Sequence, residues 1–580
     1  MSKFKKIEKI IQEIFNKKGY ETNITLCKSN RKDLGDFQIN DAMNLAKTYH
    51  KSPVIIANEI KEELDKCDYF TNVNIAGAGF INISLSDKAL IEFINEIKDN
   101  PKENIDKKEK KKVIIDYGGA NVAKSLHVGH MRSANIGEAL KRLSKLVGNE
   151  TISDVHLGDS GLQAGVVVME LEERYPSLPC FSENYNGEDF TLPITKEDLR
   201  EIYPTGSKKI KESEEKHEYA REITYKIQNN DIHYSKLWEK VRELSVQDIK
   251  ETYEKLNTNF DLWEGEMDSF KSIPFVFRLL EEKNLIRESE GAKVVDVKEE
   301  TDDKEMPPVL LEKSDGAYLY ATTDLATIYS RMQRFSPDEI WYVTDIRQQL
   351  HFEGVFRVAE KLNLVENTKL LHLGFGTMNG KDGKPYKTRS GGVMPLDELM
   401  CLVNDECKKK INEDIVGVEN KDETAQIISV AALKYADLLP YRETDYIFDE
   451  KKFTDLLGKT GPYLLYSTVR INSLLNKAEN EKVEYKTYKT VKDKTDREVI
   501  ITLFELPTVI EKAYNTKSLN EIAEYIYRLL NSYNKFYSEN VILKEEDKDL
   551  RESWLVLSKT VHDASLMLLD TLGIKCPKKM

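Results

Sequence analysis

Residues 113–132, VIIDYGGANVAKSLHVGHMR, decide the fold that we predict for the middle of this chain. An apolar, β-branched run ends at Asp116, a loop with two glycines follows, and the HVGH tetrapeptide at His127 opens an amphipathic helix. A strand that leads through a glycine-bearing turn into a helix N-terminus is typical of phosphate sites in α/β proteins. The free N–H groups and the helix dipole both attract an anion there. On its own, however, the tetrapeptide is more often a tight turn with incidental histidines.

The composition limits the class of protein. Of the 580 residues, 32% are charged, and the longest apolar runs are too short to span a membrane. The N-terminal residues follow an amphipathic pattern that includes acidic residues, so we expect neither a secretory signal nor a transit peptide. Six scattered cysteines without a CxxC pair favour a reducing cytosol and give no support for a metal site. The formal net charge of −14 argues against indiscriminate coating of nucleic acid but leaves a specific RNA partner open.

Patterns of charge and hydrophobicity divide the chain into three folded parts. Residues 1–98 have the pattern of a compact α+β unit, and residues 99–112 are polar and lysine-rich, as in a linker. From 113 to 400 strands alternate with helices, with a charged helical insertion at about 185–260. Residues 401–580 follow helical periodicity. The predicted fold class is α/β: a Rossmann-type parallel-sheet domain between an N-terminal α+β domain and a C-terminal all-α helical bundle. The expected strands of the parallel sheet are VIIDY, ETISDVHLG, KVVDV, DEIWYVTD and KLLHLGFG.

Polar side chains between the first of these strands and the HVGH helix suit a ligand crevice. Asp116 ends the strand, Asn121 lies in the loop, and Lys124 precedes His127 by three residues. At the C-terminal edge of a parallel sheet such side chains face a bound ligand. Lys124 suits a phosphate, whereas Asp116 and Asn121 suit a cationic or amine-bearing substrate. Taken individually, each of these three residues is equally consistent with an ordinary surface residue and with a ligand-binding residue.

Four later segments carry further candidate groups in a fixed order. GDSGLQAG at 158–165 packs poorly but suits a ligand loop. Tyr320 and Asp324 are four residues apart, so on a helix they share a face and set an aromatic wall beside a carboxylate. A core tyrosine with a capping aspartate is the plainer alternative. Residues 345–352 add polar groups at a strand end, and the basic loop at 380–391 can neutralise a departing pyrophosphate or is a solvated hairpin.

In this order the motifs resemble those of the arginyl-tRNA synthetase family, class I aminoacyl-tRNA synthetases, over essentially the whole chain. NVAK at 121–124 with HVGHMRS at 127–133 is similar to the HIGH motif, and KTRSG at 387–391 stands in place of the KMSKS loop. The other similar segments are YATTD at 320–324, Gln348 before His351, KYADL at 434–438, GPY at 461–463, LGI at 572–574, GDFQ at 35–38 and GAGFIN at 77–82.

The resemblance implies an enzyme that joins L-arginine to ATP as arginyl-adenylate, releases pyrophosphate, and passes arginine to the 3′-terminal adenosine of its tRNA. The arginine carboxylate itself attacks the α-phosphate, so the protein contributes alignment and charge stabilisation. ATP is then a substrate accompanied by Mg²⁺, and the expected partners are arginine, ATP and the tRNA for arginine. We also expect a monomer located in the cytoplasm.

The same resemblance implies roles for individual residues. The expected catalytic residues are His127, His130, Lys124, Lys387 and Arg389. The expected ATP-binding residues are His127, Gly129, His130, Lys124 and Lys387. A guanidinium has only donors and stays charged, so its pocket needs a carboxylate. The expected arginine-binding residues are Asp324 and Tyr320 for the guanidinium, and Asp116, Asn121 and Gln348 for the α-amino and carboxylate groups. The expected tRNA-binding residues are Phe37, Gln38, Tyr463 and Arg470, while Tyr466 is assigned to the bundle core.

Three departures from the family pattern matter. Ser160 stands where the family usually has tryptophan. The KMSKS equivalent is degenerate, which increases the importance expected of Lys124. Gly118-Gly119 replaces a usual Ser/Pro pair, a change expected only to loosen the backbone.

Two other functions compete with arginine ligation. Another class I synthetase, for lysine, glutamate or cysteine, is disfavoured by the N-terminal domain and, for cysteine, by the missing zinc ligands. A catalytically silent tRNA-binding paralogue is disfavoured by the intact His127, His130 and Lys124 with Asp324, although Ser160 leaves it open. A simple nucleotidyltransferase does not account for two appended domains.

Overall fold

The structure of the protein is a computed structural model that describes residues 1–29, 31, 33–303, 305–314, 316–386, 394–414 and 420–580. Lys387 and Arg389, two of the residues expected to be catalytic, lie outside the described residues. The described chain folds into an N-terminal α+β part, a parallel-sheet part with a helical insertion, and a C-terminal helical part. The predicted fold class is therefore confirmed.

The N-terminal part is an antiparallel sheet packed against helices. Its elements are α1 (Lys3–Lys17), β1 (Leu26–Lys28), β2 (Phe37–Ile39), α2 (Asp41–Tyr49), α3 (Pro53–Leu64), β3 (Phe70–Ala76), β4 (Phe80–Leu85) and α4 (Asp87–Ile97). The strand order is β1-β2-β4-β3. α1 follows its amphipathic pattern and buries Ile7, Ile11 and Phe15 on one face. In the segment expected to be a linker, a short 3-10 helix at Pro101–Asn104 is buried at both of its ends.

The central part is built on a parallel sheet. Its elements up to the insertion are β5 (Lys112–Asp116), α5 (Val128–Leu146), β6 (Glu150–Asp154) and α6 (Leu162–Arg174). The insertion consists of α7 (Lys196–Glu212), α8 (Glu214–Gln228) and α9 (Ile232–Lys255). The remaining elements are α10 (Glu266–Ser269), α11 (Ile273–Glu282), β7 (Ile286–Ser289), β8 (Ala292–Val295), β9 (Val309–Glu312), α12 (Tyr320–Phe335), β10 (Glu339–Tyr342), α13 (Gln349–Lys361), β11 (Lys369–His372) and β12 (Met378–Asn379).

Four of the five expected strands form this sheet, in the order β11-β10-β5-β6 with every pair parallel. The fifth, KVVDV, was wrongly placed. Its residues form β8, which lies between β7 and β9 in a separate three-stranded antiparallel sheet. The reason is the turn before it: Glu290 and Gly291 both have positive φ, the geometry of a tight hairpin, so β7 returns directly into β8.

The C-terminal part is helical and packs against α5. Its elements are α14 (Leu396–Asp414), α15 (Lys421–Leu438), β13 (Tyr446–Ile447), α16 (Glu450–Phe453), α17 (Gly461–Asn480), α18 (Lys494–Phe504), α19 (Leu506–Thr516), α20 (Asn520–Glu539) and α21 (Lys548–Thr571). The helical periodicity expected over residues 401–580 thus ends in two long helices, α20 and α21. No helix of the described residues is long and apolar enough to cross a membrane.

Buried charges attach α5 to the bundle. Arg132 Nε lies 2.8 Å from Asp437 Oδ1 of α15, and the two side chains are only 1% and 0% exposed. Asn135 donates to the other carboxylate oxygen at 3.0 Å. At the far end of the helix, Arg142 pairs with Asp570 of α21 at 2.6 Å, where the aspartate is 69% exposed. The helix that begins with HVGH is thus fixed by one buried and one exposed ion pair.

These two ion pairs should differ greatly in their contribution to stability. We expect Asp437→Ala to destabilise the protein by about 3–5 kcal/mol, because it leaves a buried guanidinium without its counter-ion. Asp570→Ala, the matched control that removes the partner of Arg142 on α5, should cost about 0–1 kcal/mol because its carboxylate is solvated. The shift of the first thermal unfolding midpoint measures both. Equal shifts would show that the buried pair does not anchor α5.

Candidate active site

The two histidines form a compact pair at the N-terminus of α5. His127 is the N-cap, and its Nδ1 accepts a hydrogen bond from the Gly129 N–H at 3.1 Å. His130 Nδ1 accepts from the His127 N–H at 3.0 Å. The rings stack with their centroids 3.8 Å apart. Because each Nδ1 accepts a hydrogen bond, each neutral ring carries its proton on Nε2 and can donate from there.

The environment keeps both rings neutral. Burial lowers the pKa of His130 to about 3, with help from His127 and the Lys124 ammonium. Burial and the same ammonium also lower the pKa of His127. The pair therefore offers two N–H donors to an anion near neutral pH, and positive charge at this site has to come from Lys124 and the helix dipole.

Lys124 is held beside the histidines by the insertion. Ala123, immediately before it, has a left-handed φ of 61°, and its N–H donates to Ser245 Oγ of α9 at 2.8 Å. The Lys124 ammonium lies 4.6 Å from the centroid of the Tyr203 ring on α7. A non-glycine residue in this backbone region is uncommon and is often found at functional sites.

The glycine pair after β5 does more than loosen the backbone. Gly118 and Gly119 have φ of 93° and 49°, conformations that L side chains rarely adopt. A Cβ on Gly118 would also lie 2.9 Å from the Phe260 ring. The expectation that the two glycines only loosen the backbone was wrong, because the turn that leads from β5 to α5 requires these conformations.

Asp116 and Asn121 have different surroundings. Asp116 is buried and accepts a hydrogen bond at 2.7 Å from Arg331, which donates to Asp154 at the same distance. Asn121 lies against the next loop, where a Cβ on Gly158 would approach its Oδ1 to 2.4 Å. Asn121 is thus partly exposed and packed against Gly158, whereas the carboxylate of Asp116 already has an internal cation.

A pocket of about 930 Å³ opens between the 158–165 loop, α8 and the start of α12, with Ser160 and Tyr320 in its wall. Tyr320 is 65% exposed. Asp324, one turn further on, has its Oδ2 2.6 Å from His351 Nε2 of α13. Gln348 is exposed just before α13 begins. Of the five expected arginine-binding residues, Tyr320 lines this pocket, whereas Asp116, Asn121, Asp324 and Gln348 are not part of its lining.

One carboxylate of this region, Glu266, was missed by the sequence interpretation. It is 9% exposed, and its Oε2 accepts from Ser160 Oγ at 2.5 Å. Burial raises its pKa, although Ser160 and His156 oppose this, and Asp324 is among the charges near it. Residues 262–265 pair in parallel with the chain after β6, which brings Glu266 to the crevice. Because this segment follows the insertion and carries no recognised motif, only its glycine and acidic residues could have indicated the site.

The residues expected to bind tRNA in the N-terminal part are not equally available. Phe37 is fully buried, and its ring lies 5.9 Å from Phe4 and 5.5 Å from Phe504 of α18. Its ring is therefore part of the core and cannot stack on a base. Gln38 is partly exposed and donates to Asn40 at 2.6 Å. GDFQ is thus partly a packing motif that joins the N-terminal part to the bundle.

On α17 the exposed aromatic residue is not the expected one. Tyr466, which was assigned to the core, is 41% exposed, so that assignment was wrong. Tyr463 is half-buried, and its hydroxyl accepts from Asn534 at 2.8 Å. Arg470 donates to the same asparagine and lies 4.5 Å from the Tyr537 ring centroid. The three side chains keep the expected i, i+3, i+7 spacing, but the core lies on the other face of the helix.

Comparison with known proteins agrees with this geometry. A family model for the catalytic domain of class I tRNA synthetases (R) matches residues 93–450. The arginyl-tRNA synthetase N-terminal domain model matches residues 4–85, and the DALR anticodon-binding domain model matches 464–580. The chain is thus a class I aminoacyl-tRNA synthetase by fold and site. More narrowly, it belongs to the arginyl-tRNA synthetase family.

Individual relatives are similar over their whole length. Arginine–tRNA ligases of Alkaliphilus oremlandii and Agathobacter rectalis are each 42% identical to the chain, with 99% of both sequences covered. Among solved structures, arginyl-tRNA synthetase from Plasmodium falciparum has a TM-score of 0.80 at 24% identity, covering 100% of this chain and 99% of that one. The Thermus thermophilus enzyme has the same TM-score at 21% identity, covering 99% and 100%. These structural likenesses support the fold.

The neutrality of His130 can be measured directly. In protein labelled at histidine Cε1, we expect the His130 signal to stay that of a neutral ring from pH 8 to pH 5, because its pKa is lowered to about 3. The unfolded chain binds a proton near pH 6.5 and the folded ring does not. Stability should therefore fall below that pH by up to about 1.4 kcal/mol per unit from this group.

The His130→Gln variant identifies the signal by its loss. A His130 signal that titrates between pH 6 and pH 7 would contradict a neutral donor pair.

Proposed function

We propose that this crevice adenylates arginine and that the chain acts as an arginine–tRNA ligase. The observation that carries the proposal is the opposite character of the two sides of the crevice. Two neutral N–H donors and Lys124 lie at the N-terminus of α5, which suits phosphates. The buried carboxylate Glu266 lies near Asp324 and Tyr320 on the other side, which suits a guanidinium.

On the ATP side, the protein stabilises charge that develops on the phosphates. The Nε2–H groups of His127 and His130 donate to phosphate oxygens, and Gly129 lets the nucleotide approach the helix backbone. Lys124 leaves the face of Tyr203 to contact a phosphate. Lys387 and Arg389, assigned by resemblance, are proposed to neutralise the departing pyrophosphate. Fixed donors of this kind stabilise a transition state without reorganisation.

On the arginine side, the guanidinium lies between Asp324 and Glu266, with Tyr320 as an aromatic wall. Asn121 and Gln348 hold the α-amino group and the carboxylate in line with the α-phosphate. Asp116 does not contact the substrate directly in this proposal, because its carboxylate already accepts a hydrogen bond from Arg331. A carboxylate oxygen of arginine then forms the new bond to the α-phosphorus as the bond to pyrophosphate breaks.

In the second step, a hydroxyl of the 3′-terminal ribose of the tRNA attacks the carbonyl carbon of the adenylate, and AMP leaves. We place the anticodon-binding surface on the C-terminal bundle, where Tyr466 and Arg470 share one side of α17. Aromatic rings with arginine suit bases that are splayed out of a loop. Tyr463 supports this surface through Asn534, and Gln38 is the remaining candidate on the N-terminal part.

Mg²⁺ is proposed to arrive with ATP rather than on a protein site. Among the described residues, two clusters have the composition of a metal site. One contains Asp116 and Asp154, which Arg331 already bridges, and the other consists of partly exposed residues of α8. Neither includes the HVGH histidines. We also propose that the protein is a monomer of the cytoplasm, which sedimentation and fractionation would test.

Amino-acid specificity can be separated from phosphate chemistry by mutation. ATP–pyrophosphate exchange, with and without total tRNA, should depend on arginine and not on lysine or glutamate. We expect Asp324→Ala and Glu266→Gln to reduce kcat/KM for arginine by about 10²–10³-fold, because a desolvated guanidinium loses a charged partner. His130→Ala should lower kcat for exchange while leaving KM for arginine within about twofold, since it removes an interaction formed at the phosphates.

Asp296→Ala, which removes an exposed carboxylate on the hairpin, is the matched control and should leave exchange unchanged. Exchange stimulated by lysine or glutamate but not by arginine would refute the proposed function. Equal, mild effects of the three site variants would contradict the division into two sides.

The proposed tRNA surface has its own test. Tyr466→Ala should raise KM for tRNA in aminoacylation, since a stacked base contributes about 1–3 kcal/mol, and should leave tRNA-saturated kcat unchanged. Phe275→Ala, which removes a 45% exposed ring on α11, is the control with a similar loss of surface. If both variants behave alike, α17 does not bind the anticodon.

A further inference from the structure

His156 is a half-buried histidine that the proposed reaction does not use. It follows β6, directly before the 158–165 loop, and has a left-handed φ of 41°. Both of its ring nitrogens are buried, and neither has a hydrogen-bond partner among the described residues. A buried polar group without a partner is costly and normally indicates a missing ligand, water or proton.

Four carboxylates from different elements act on this ring. Asp116 at the end of β5 and Asp154 at the end of β6 each have an oxygen within 4.8 Å of a His156 nitrogen. Asp324 of α12 and Glu266 of α10 also interact with it electrostatically. The other groups that complete the cluster are Arg331 of α12, the buried Tyr342 hydroxyl of β10, and His351 of α13, which contacts Asp324.

Arg331 compensates only part of this negative charge. Its Nη2 donates to both Asp116 and Asp154 at 2.7 Å. One guanidinium cannot balance four carboxylates, and its Nε and Nη1 have no hydrogen-bond partner in the described structure. A water molecule could satisfy some of these atoms, but it adds no charge. The cluster around His156 is therefore short of positive charge until it takes up a cation or a proton.

We propose that His156 is a positioning residue of the substrate pocket: it is protonated while the pocket is empty and releases that proton when arginine binds. This inference rests on the proposed function, because the guanidinium and α-ammonium groups of arginine bring the positive charge that replaces the proton. The imidazolium holds the carboxylates in place in the absence of substrate. Asp324 and Glu266, freed from it, then face the guanidinium.

The direction of the pKa shift is consistent with this exchange. Burial lowers the pKa of His156, but Asp116, Asp154 and Asp324 outweigh burial and Arg331, and the pKa is raised above its usual 6.5. Bound arginine adds positive charge and lowers that pKa again. Below the pKa of the empty pocket, arginine has to displace a proton, so its affinity falls as pH falls. Above that pKa no proton is displaced, and the affinity is independent of pH.

The pH profile of KM for arginine tests the proposal in the complete enzyme. Aminoacylation at saturating ATP and tRNA between pH 5.5 and 8.5 should give a KM that rises by up to about tenfold per unit on the acid side and is level above the pKa. His156→Gln should give a flat profile near the alkaline wild-type value, because glutamine resembles the neutral ring. His50→Gln, at an exposed histidine, should keep the wild-type profile.

A calorimetric measurement on the wild type avoids dependence on the variant's folding. Arginine titrated into the enzyme with tRNA at pH 7 should release a fraction of a proton, seen as a heat that differs between phosphate and Tris buffers. Release of no proton, or a KM profile unchanged in folded His156→Gln, would overturn the role of His156. A wild type without arginine-dependent activity would overturn the proposed function instead.

Discussion

The burial of α5 is the constraint on which the rest of the structure depends. Fifteen of its nineteen residues are buried, and several of them are charged. A helix buried on all sides is normally apolar, so each charge here requires its own partner. Arg132 has Asp437 of the bundle, and Glu138 has Lys141 and the Tyr117 hydroxyl. The HVGH turn is therefore held in place by contacts far along the chain.

The same constraint separates two kinds of electrostatic environment. At the N-terminus of α5, burial removes charge from the histidines, and the site becomes a set of neutral donors beside Lys124. A short distance along the sheet edge, Asp116 and Asp154 are buried and share one internal guanidinium, and Glu266 is buried against Ser160. Phosphates and a cationic amino acid can thus bind side by side without competing for the same groups. In the proposed function, specificity follows from the separation of the two environments as much as from any single contact.

The features that the sequence predicted correctly are those that depend on neighbouring residues. Alternation of strands and helices gave the sheet and the insertion, because periodicity is a property of neighbouring residues. Several of the errors concern which distant group or which sheet a residue joins. KVVDV has the composition of a buried strand but belongs to another sheet, Phe37 packs on Phe504, and Asp116 pairs with Arg331. Glu266 enters the site through a segment with no motif. The spacing of residues around a given side chain does not indicate which residue, hundreds of positions away in the sequence, that side chain will contact.

The bundle and the active-site helix move together for an energetic reason. Separating α15 from α5 would break the Arg132–Asp437 pair and leave each charge without its partner. The cost is several kcal/mol, which is about the total stability of many domains. A hinge at this contact is therefore disfavoured. Any influence of bound tRNA on adenylation has to pass through parts with weaker attachments. The insertion is not one of these parts, because α7 and α8 pack on α6 and Arg242 of α9 pairs with the buried Asp159. Tyr203 of α7 thus keeps Lys124 close to the histidines of α5.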